Sequence, residues 1–129
     1  MALTLVMEDE RRNGPNGAGD LLDATLGGYL AEHNRPPAFE GVDGQPYTVS
    51  IEVERTSNLR APWEGYLVFP RWAETGLGIV GHVETPVLAE GRTREEVEER
   101  VAETSLLQVK ELLDLAIARR REEEAPGGS

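Results

Sequence analysis

The sequence predicts an α+β domain: an antiparallel sheet of three to four strands packed on one long C-terminal helix, with a short N-terminal helix. Three observations predict it. From Tyr47 to Glu54 apolar and polar side chains alternate without a fault, the pattern of a strand with one face on a core and the other in water. Thr93 and Glu96 form a capping box at the head of a long stretch with apolar residues at helical spacing, where each side chain satisfies a backbone N–H of the first turn. Leu, Ile, Val and Phe supply 31 of 129 residues, enough for one modest core in a chain of single-domain length.

The elements follow in chain order. Residues 1–12 either add a short edge strand, with Leu3, Leu5 and Met7 alternating, or fray. Asn13 to Gly19 is rich in Gly and Pro and reads as a flexible linker, so residues 1–19 stand outside the domain, which spans 20–121. Asp20 is placed to cap a helix with Leu22, Leu26, Tyr29 and Leu30 on one face. Gly27-Gly28 weakens that helix, so it needs tertiary support. Pro36-Pro37 ends it, and 35–46 reads as an extended connection. Tyr47, Val49, Ile51 and Val53 then face the core. A second strand runs from Gly65 to Phe69 and closes at Pro70. A third runs from about Leu77 to Thr85, with Leu77, Ile79, Gly81 and Val83 on one face, and continues after a kink at Pro86. The helix is expected over 93–120, with glutamates in its first turn and Arg119-Arg120-Arg121 at its end, matching the helix dipole. Its apolar positions cover roughly 200° at the α-helical rotation per residue, wider than one sheet contact requires. Residues 122–129 form an acidic tail.

Composition narrows the function. A net charge of −11 with no basic cluster repels phosphate backbones, so no direct nucleic-acid binding is expected and a basic partner is favoured. The absence of cysteine excludes disulfides, thiolate nucleophiles and Cys-based zinc sites. No apolar run reaches the ~20 residues of a membrane span, and the first residues lack the basic start of a signal peptide; the expected address is the cytoplasm, with no membrane contact.

Catalytic patterns are weak. Gly76-Leu-Gly78-Ile-Val-Gly81 spells the dinucleotide fingerprint, which needs a helix N-terminus after it. His82 to Pro86 alternates like a strand instead, so these read as strand glycines, and no cofactor is expected. Glu52, Glu54, Glu84 and His82 could share a polar strand face, a conceivable setting for a divalent cation or acid–base work; a solvated sheet face accounts for them without chemistry. No catalytic or metal-binding residue is therefore assigned. Four of seven aromatic residues fall within ten positions: Trp63, Tyr66, Phe69 and Trp72. A strand splits them between faces, and the tryptophans at its rims suit a partner interface. On the helix, Leu106, Val109, Leu113 and Ile117 are the expected oligomer face, a two-fold dimer being the simplest closed solution for the wide stripe.

The order of motifs resembles that of the HicB-like family of antitoxins and related small proteins. A first strand at Tyr47–Arg55 is followed by Gly65-Tyr66-Leu67-Val68-Phe69-Pro70 and then by Gly91-Arg92-Thr93-Arg94-Glu95-Glu96-Val97, which parallel the family's strand, its "GY…FP" strand and its Gly-x-Thr-x-Glu-Glu helix start over about residues 47–115. The resemblance implies a small, often dimeric fold with a sheet packed on a helix and, in complete antitoxins, neutralisation of a small basic ribonuclease together with a C-terminal DNA-binding module. Residues 71–86 add a strand to that pattern, Arg92 stands where the family often has Asp, and no DNA-binding module follows residue 124. The expected function is a non-enzymatic HicB-like interaction domain that self-associates and binds or neutralises a small basic protein. Its alternatives are a small-ligand or metal-assisted enzyme using the carboxylate and histidine strand face, and a structural subunit of a larger assembly.

Overall fold

The computed structural model describes residues 5–6 and 24–124. The chain is α+β, with an antiparallel sheet on one side and helices on the other. Its elements are β1 (Leu5–Val6), α1 (Leu26–His33), β2 (Ala38–Glu40), β3 (Pro46–Thr48), β4 (Ser50–Arg55), β5 (Trp63–Trp72), β6 (Ile79–Glu84), β7 (Ala89–Gly91), α2 (Arg94–Ala102) and α3 (Leu106–Glu124). The strands outnumber the expected three to four, because the connection at 35–46 contains β2 and the start of β3, and the third strand divides in two.

Ten-residue β5 is the axis of the sheet, antiparallel to every neighbour. One of its edges pairs with β4 and β3, the other with β6 and β7, and β2 and β1 extend the sheet beyond β3. β3 and β4 are one strand in register: Ser50 faces Val68 and, three residues on, Tyr47 faces Arg71. Pro70 lies between and has no N–H to give, so the ladder lapses at Val49 without a register shift. The strand therefore runs through the proline that was expected to close it. Across β5, the kink at Pro86 appears as two extra residues. In the register of β6, Gly65 would face Val87, whereas it faces Ala89. Thr85 bridges the irregularity: its hydroxyl accepts from the Leu67 N–H at 3.1 Å and donates to the Pro86 carbonyl at 2.7 Å.

The alternation read from the sequence sets the core. Tyr47, Val49, Leu67, Phe69 and Val83 are buried, with Ile51 and Val53 half-buried on the same side. Leu77 lies in the turn before β6 and is exposed, and a bulge at Val80 turns Ile79 outward, so neither shares the face of Gly81 and Val83 as expected.

The expected single helix over 93–120 is two helices. Thr93 caps the first as predicted, accepting from the Glu96 N–H at 3.0 Å while Glu96 accepts from the Arg92 N–H. A second capping box, Ser105 with Gln108, opens the next: Ser105 Oγ accepts from the Gln108 N–H and Gln108 Oε1 from the Ser105 N–H, each at 3.1 Å. The break receives the N-terminal helix. Leu26 N–H donates to the Thr104 carbonyl and Leu106 N–H to the Ala24 carbonyl, both at 2.8 Å. Thr25, not Asp20, caps α1; Asp20 and Leu22 lie outside the described residues, as do the linker at 13–19 and the end of the tail at 125–129. α3 continues through Glu124, past the expected boundary at 121, and Arg120 pairs there with Glu124 four residues on.

α1 lies against α2 so closely that a Cβ on Gly27 would stand 2.8 Å from Ala102 Cβ. The glycine that weakens the helix locally permits this crossing. Leu26 and Tyr29 are buried in the result. Drawn as separate helices, α2 buries Val97 and Val101, and α3 buries Leu106, Val109, Lys110, Leu113, Ala116 and Ile117, an arc of roughly 120° at the α-helical rotation per residue. The 200° arc arises from drawing two helices of different direction on one wheel.

Candidate functional site

Among the described residues no helix packs on the sheet face opposite α1 to α3. On β2 to β7 its residues include Thr48, Ser50, Tyr66, Val68, Pro70, Trp72 and His82, together with Glu40, Glu52, Glu54, Glu64, Glu84 and Glu90, and no Lys or Arg. Glu54, Glu64 and Glu90 stand directly opposite one another across β4, β5 and β7. Like charges so placed destabilise a sheet. None of the six glutamates is in an ion pair among the described residues.

Two neutral donors soften the repulsion. Tyr66 Oη donates to Glu54 Oε2 at 2.8 Å, and Ser50 Oγ donates to Glu52 Oε2 at 3.0 Å. The hydrogen bond to Glu54, then desolvation and the charges of Glu54, Glu84 and Glu52, push the Tyr66 phenol up to about 12. The folded protein therefore holds this proton more tightly than the unfolded chain. Its stabilising contribution is complete below pH 10 and is lost as pH rises from 10 towards 12. Glu54→Gln should return the Tyr66 titration towards 10, read as phenolate absorption, and leave that of Tyr47 in place.

The aromatic cluster divides as strand alternation requires. Tyr66 and Trp72 lie on the open face, where Trp72 Nε1 donates to Thr48 Oγ1 at 2.9 Å. Phe69 is fully buried under the helices, so it is a core residue and not part of a partner interface. Trp63 packs half-buried against the edge of that core, with the guanidinium groups of Arg55 and Arg94 at 5.4 and 5.8 Å from its ring. Of the four, Tyr66 and Trp72 share the open face, Trp63 is half-buried on the other side of the sheet, and Phe69 alone is wholly in the core.

The side chains expected as an oligomer face are inside the single chain. Leu106, Val109 and Leu113 have no exposed surface and Ile117 has 3%, because α1 and the sheet cover them. On α3 the exposed large apolar residues are Leu107 and Leu115. Leu115 and Leu112 line a cleft of about 340 Å3 with Leu88 from the kinked segment before β7.

Glu52 and Glu54 sit on β4 and Glu84 on β6, with β5 between them, a gap of about 10 Å at ordinary strand spacing. The carboxylates and His82 do not converge, and among the described residues no three His, Asp or Glu side chains are grouped so as to hold a metal ion. Of the fingerprint glycines only Gly81 is a strand residue, in β6; Gly76 and Gly78 precede the strand, and Gly76 takes a left-handed φ of +78° in the turn. No helix among the described residues is long and apolar enough to cross a membrane.

One feature gave no sequence signal. The single lysine, Lys110, is 7% exposed and pairs with Asp114 at 2.6 Å. Asp114 also accepts the Val42 N–H at 2.9 Å, tying the β2–β3 turn to α3. The i, i+4 spacing of Lys110 and Asp114 was visible, but their burial was not. No family model, curated protein or solved structure matches the chain.

Proposed function

We propose that this chain is a HicB-like protein-interaction domain of the cytoplasm that binds a small basic protein on the open face of its sheet. The observation that carries the reading is the face itself: six glutamates, three of them in one cross-strand row, around half-buried Tyr66, Val68, Pro70 and Trp72, with no cation among the described residues of that face. Such an arrangement costs stability in the free protein, and a cationic partner relieves that cost on docking. Complementary charge speeds encounter and fixes register, while the central aromatic and apolar groups supply buried area. The family resemblance supports the same class of partner, a small basic ribonuclease held inactive by the complex.

Affinity capture from the source organism's lysate tests this with two matched variants. Glu52→Gln/Glu54→Gln/Glu64→Gln removes three charges from the face; Glu98→Gln/Glu99→Gln/Glu122→Gln removes three elsewhere. The wild type and the second variant should retain the same basic protein, and the first should lose it. Equal retention by both variants would refute the assignment.

Self-association is assigned to the patch of Leu88, Leu112 and Leu115, since Leu115 is 62% exposed beside a ready cleft and contiguous apolar surface favours burial. Light scattering at micromolar concentration should give the mass of two chains, reduced to one by Leu115→Glu. A single-chain mass at every concentration removes self-association from the reading.

A further inference from the structure

The last turns of α3 face the ends of β5 and β6, and between them lies a cleft of about 270 Å3. In a chain of net charge −11, three guanidinium groups meet there, from Arg71 on β5 and from Arg120 and Arg121 on α3. Arg71 is on the helix-covered side of the sheet, opposite Tyr47 on one neighbour and Gly81 on the other. A Cβ on Gly81 would stand 3.4 Å from Arg71 Nη2 and 3.6 Å from Nε, so the guanidinium lies beside the glycine and reaches the cleft.

The two carboxylates lining the cleft, Asp43 and Glu124, are held by groups other than Arg71 and Arg121. Asp43 accepts from the Tyr47 hydroxyl at 2.9 Å and from the Gln45 N–H at 3.0 Å. Glu124 accepts from Arg120 Nε at 2.8 Å, while Arg120 Nη1 donates to the His82 carbonyl at 3.1 Å. Burial, then the hydrogen bond to Asp43, holds the Tyr47 phenol protonated well above the ordinary tyrosine range, against the opposing pull of Arg71 and Arg121. That leaves half-buried Arg71 and exposed Arg121 without a hydrogen bond or ion pair among the described residues. The helix dipole accounts for arginines at the end of α3. It does not account for Arg71, a strand residue whose five donors are partly withdrawn from water with no acceptor.

We propose that this cleft binds a small oxyanion, the carboxylate or phosphate of a small acidic molecule, between Arg71 and Arg121. A planar guanidinium offers parallel donors that match two oxygens of either group. The volume of about 270 Å3 falls just below the range of drug-sized ligand pockets, so it suits an anion with a small body.

The full isotope-labelled chain, titrated separately with inorganic phosphate and with citrate, tests the site through its arginine Nε–Hε resonances. Arg71 and Arg121 should shift saturably with at least one anion, and the effective anion separates phosphate from carboxylate chemistry. Arg71→Gln should weaken binding by about tenfold or more, as for loss of a charge-assisted contact. Arg121→Gln, which leaves the sheet untouched, should also weaken it and serves if the first variant folds poorly. Arg119→Gln removes a charge from the same helix outside this cleft and should change binding by less than about twofold. No saturable shift with either anion, or a loss in Arg119→Gln equal to that in the cleft variants, overturns the proposal.

Discussion

Leu113→Asp is expected to unfold the protein at room temperature. Leu113 has no exposed surface and lies in the middle of α3 within the one continuous core. The neighbouring buried cation, Lys110, is already paired with Asp114, so a carboxylate there must either ionise in an apolar surrounding or take up a proton. The cost, about 4 kcal/mol or more, is comparable with the whole stability of a small domain. Val101→Asp should act likewise from α2, where Val101 is 1% exposed. Glu111→Ala, on the exposed side of α3, should stay within about 0.5 kcal/mol of the wild type. Chemical denaturation of the three variants measures the contrast; equal midpoints would mean that α3 does not pack as described.

Gly65→Val is expected to be the second most damaging change, although it adds only apolar atoms. α2 crosses β5 at this glycine, and a Cβ would stand 2.6 Å from Val97 Cγ1 and 3.0 Å from Val101 Cγ2. Branched atoms beyond it would force the helix off the sheet, at a cost of about 3 kcal/mol. Gly65→Ala should cost less, and Val97→Ala should recover part of that loss, since the two sites share one space. Gly78→Ala meets nothing within 4 Å and should be silent. If Gly65→Val melts with the wild type, the close approach of helix and sheet is wrong.

Much of the fold was legible because strand alternation and capping boxes are local signals. The face containing Tyr47, Val49, Ile51 and Val53 and the cap at Thr93 needed no knowledge of the rest of the chain. The break at 103–105 leaves no mark in the apolar spacing, which runs on through it. Ser105 and Gln108 spell a second capping box, but Val101, Leu106 and Val109 continue the stripe on either side, and a single wheel merges the two helices. That merger also produced the apparent surplus of apolar surface first assigned to a second chain. Gly27 was legible as a helix weakener; its use, the close crossing at Ala102, depends on tertiary contact and is invisible locally.

The candidate face was legible in pieces. Glu52 and Glu54 were placed on a solvated strand face, and Tyr66 was placed opposite Phe69. The row of Glu54, Glu64 and Glu90 joins three strands, one of them short β7 beyond a kink, and only strand register could assemble it. The cleft around Arg71 was hidden for the same reason, since its arginines come from residues fifty apart in the chain.

The central claim, that the open sheet face binds a basic partner through charge, is tested most directly by the salt dependence of that complex. Dissociation constants for the captured protein are measured across a range of ionic strengths. Wild-type affinity should fall steeply as salt screens the face. The triple variant at Glu52, Glu54 and Glu64 should bind about tenfold or more weakly at low salt and lose most of that dependence, while the variant at Glu98, Glu99 and Glu122 follows the wild type. Coincident curves for all three proteins would contradict the claim.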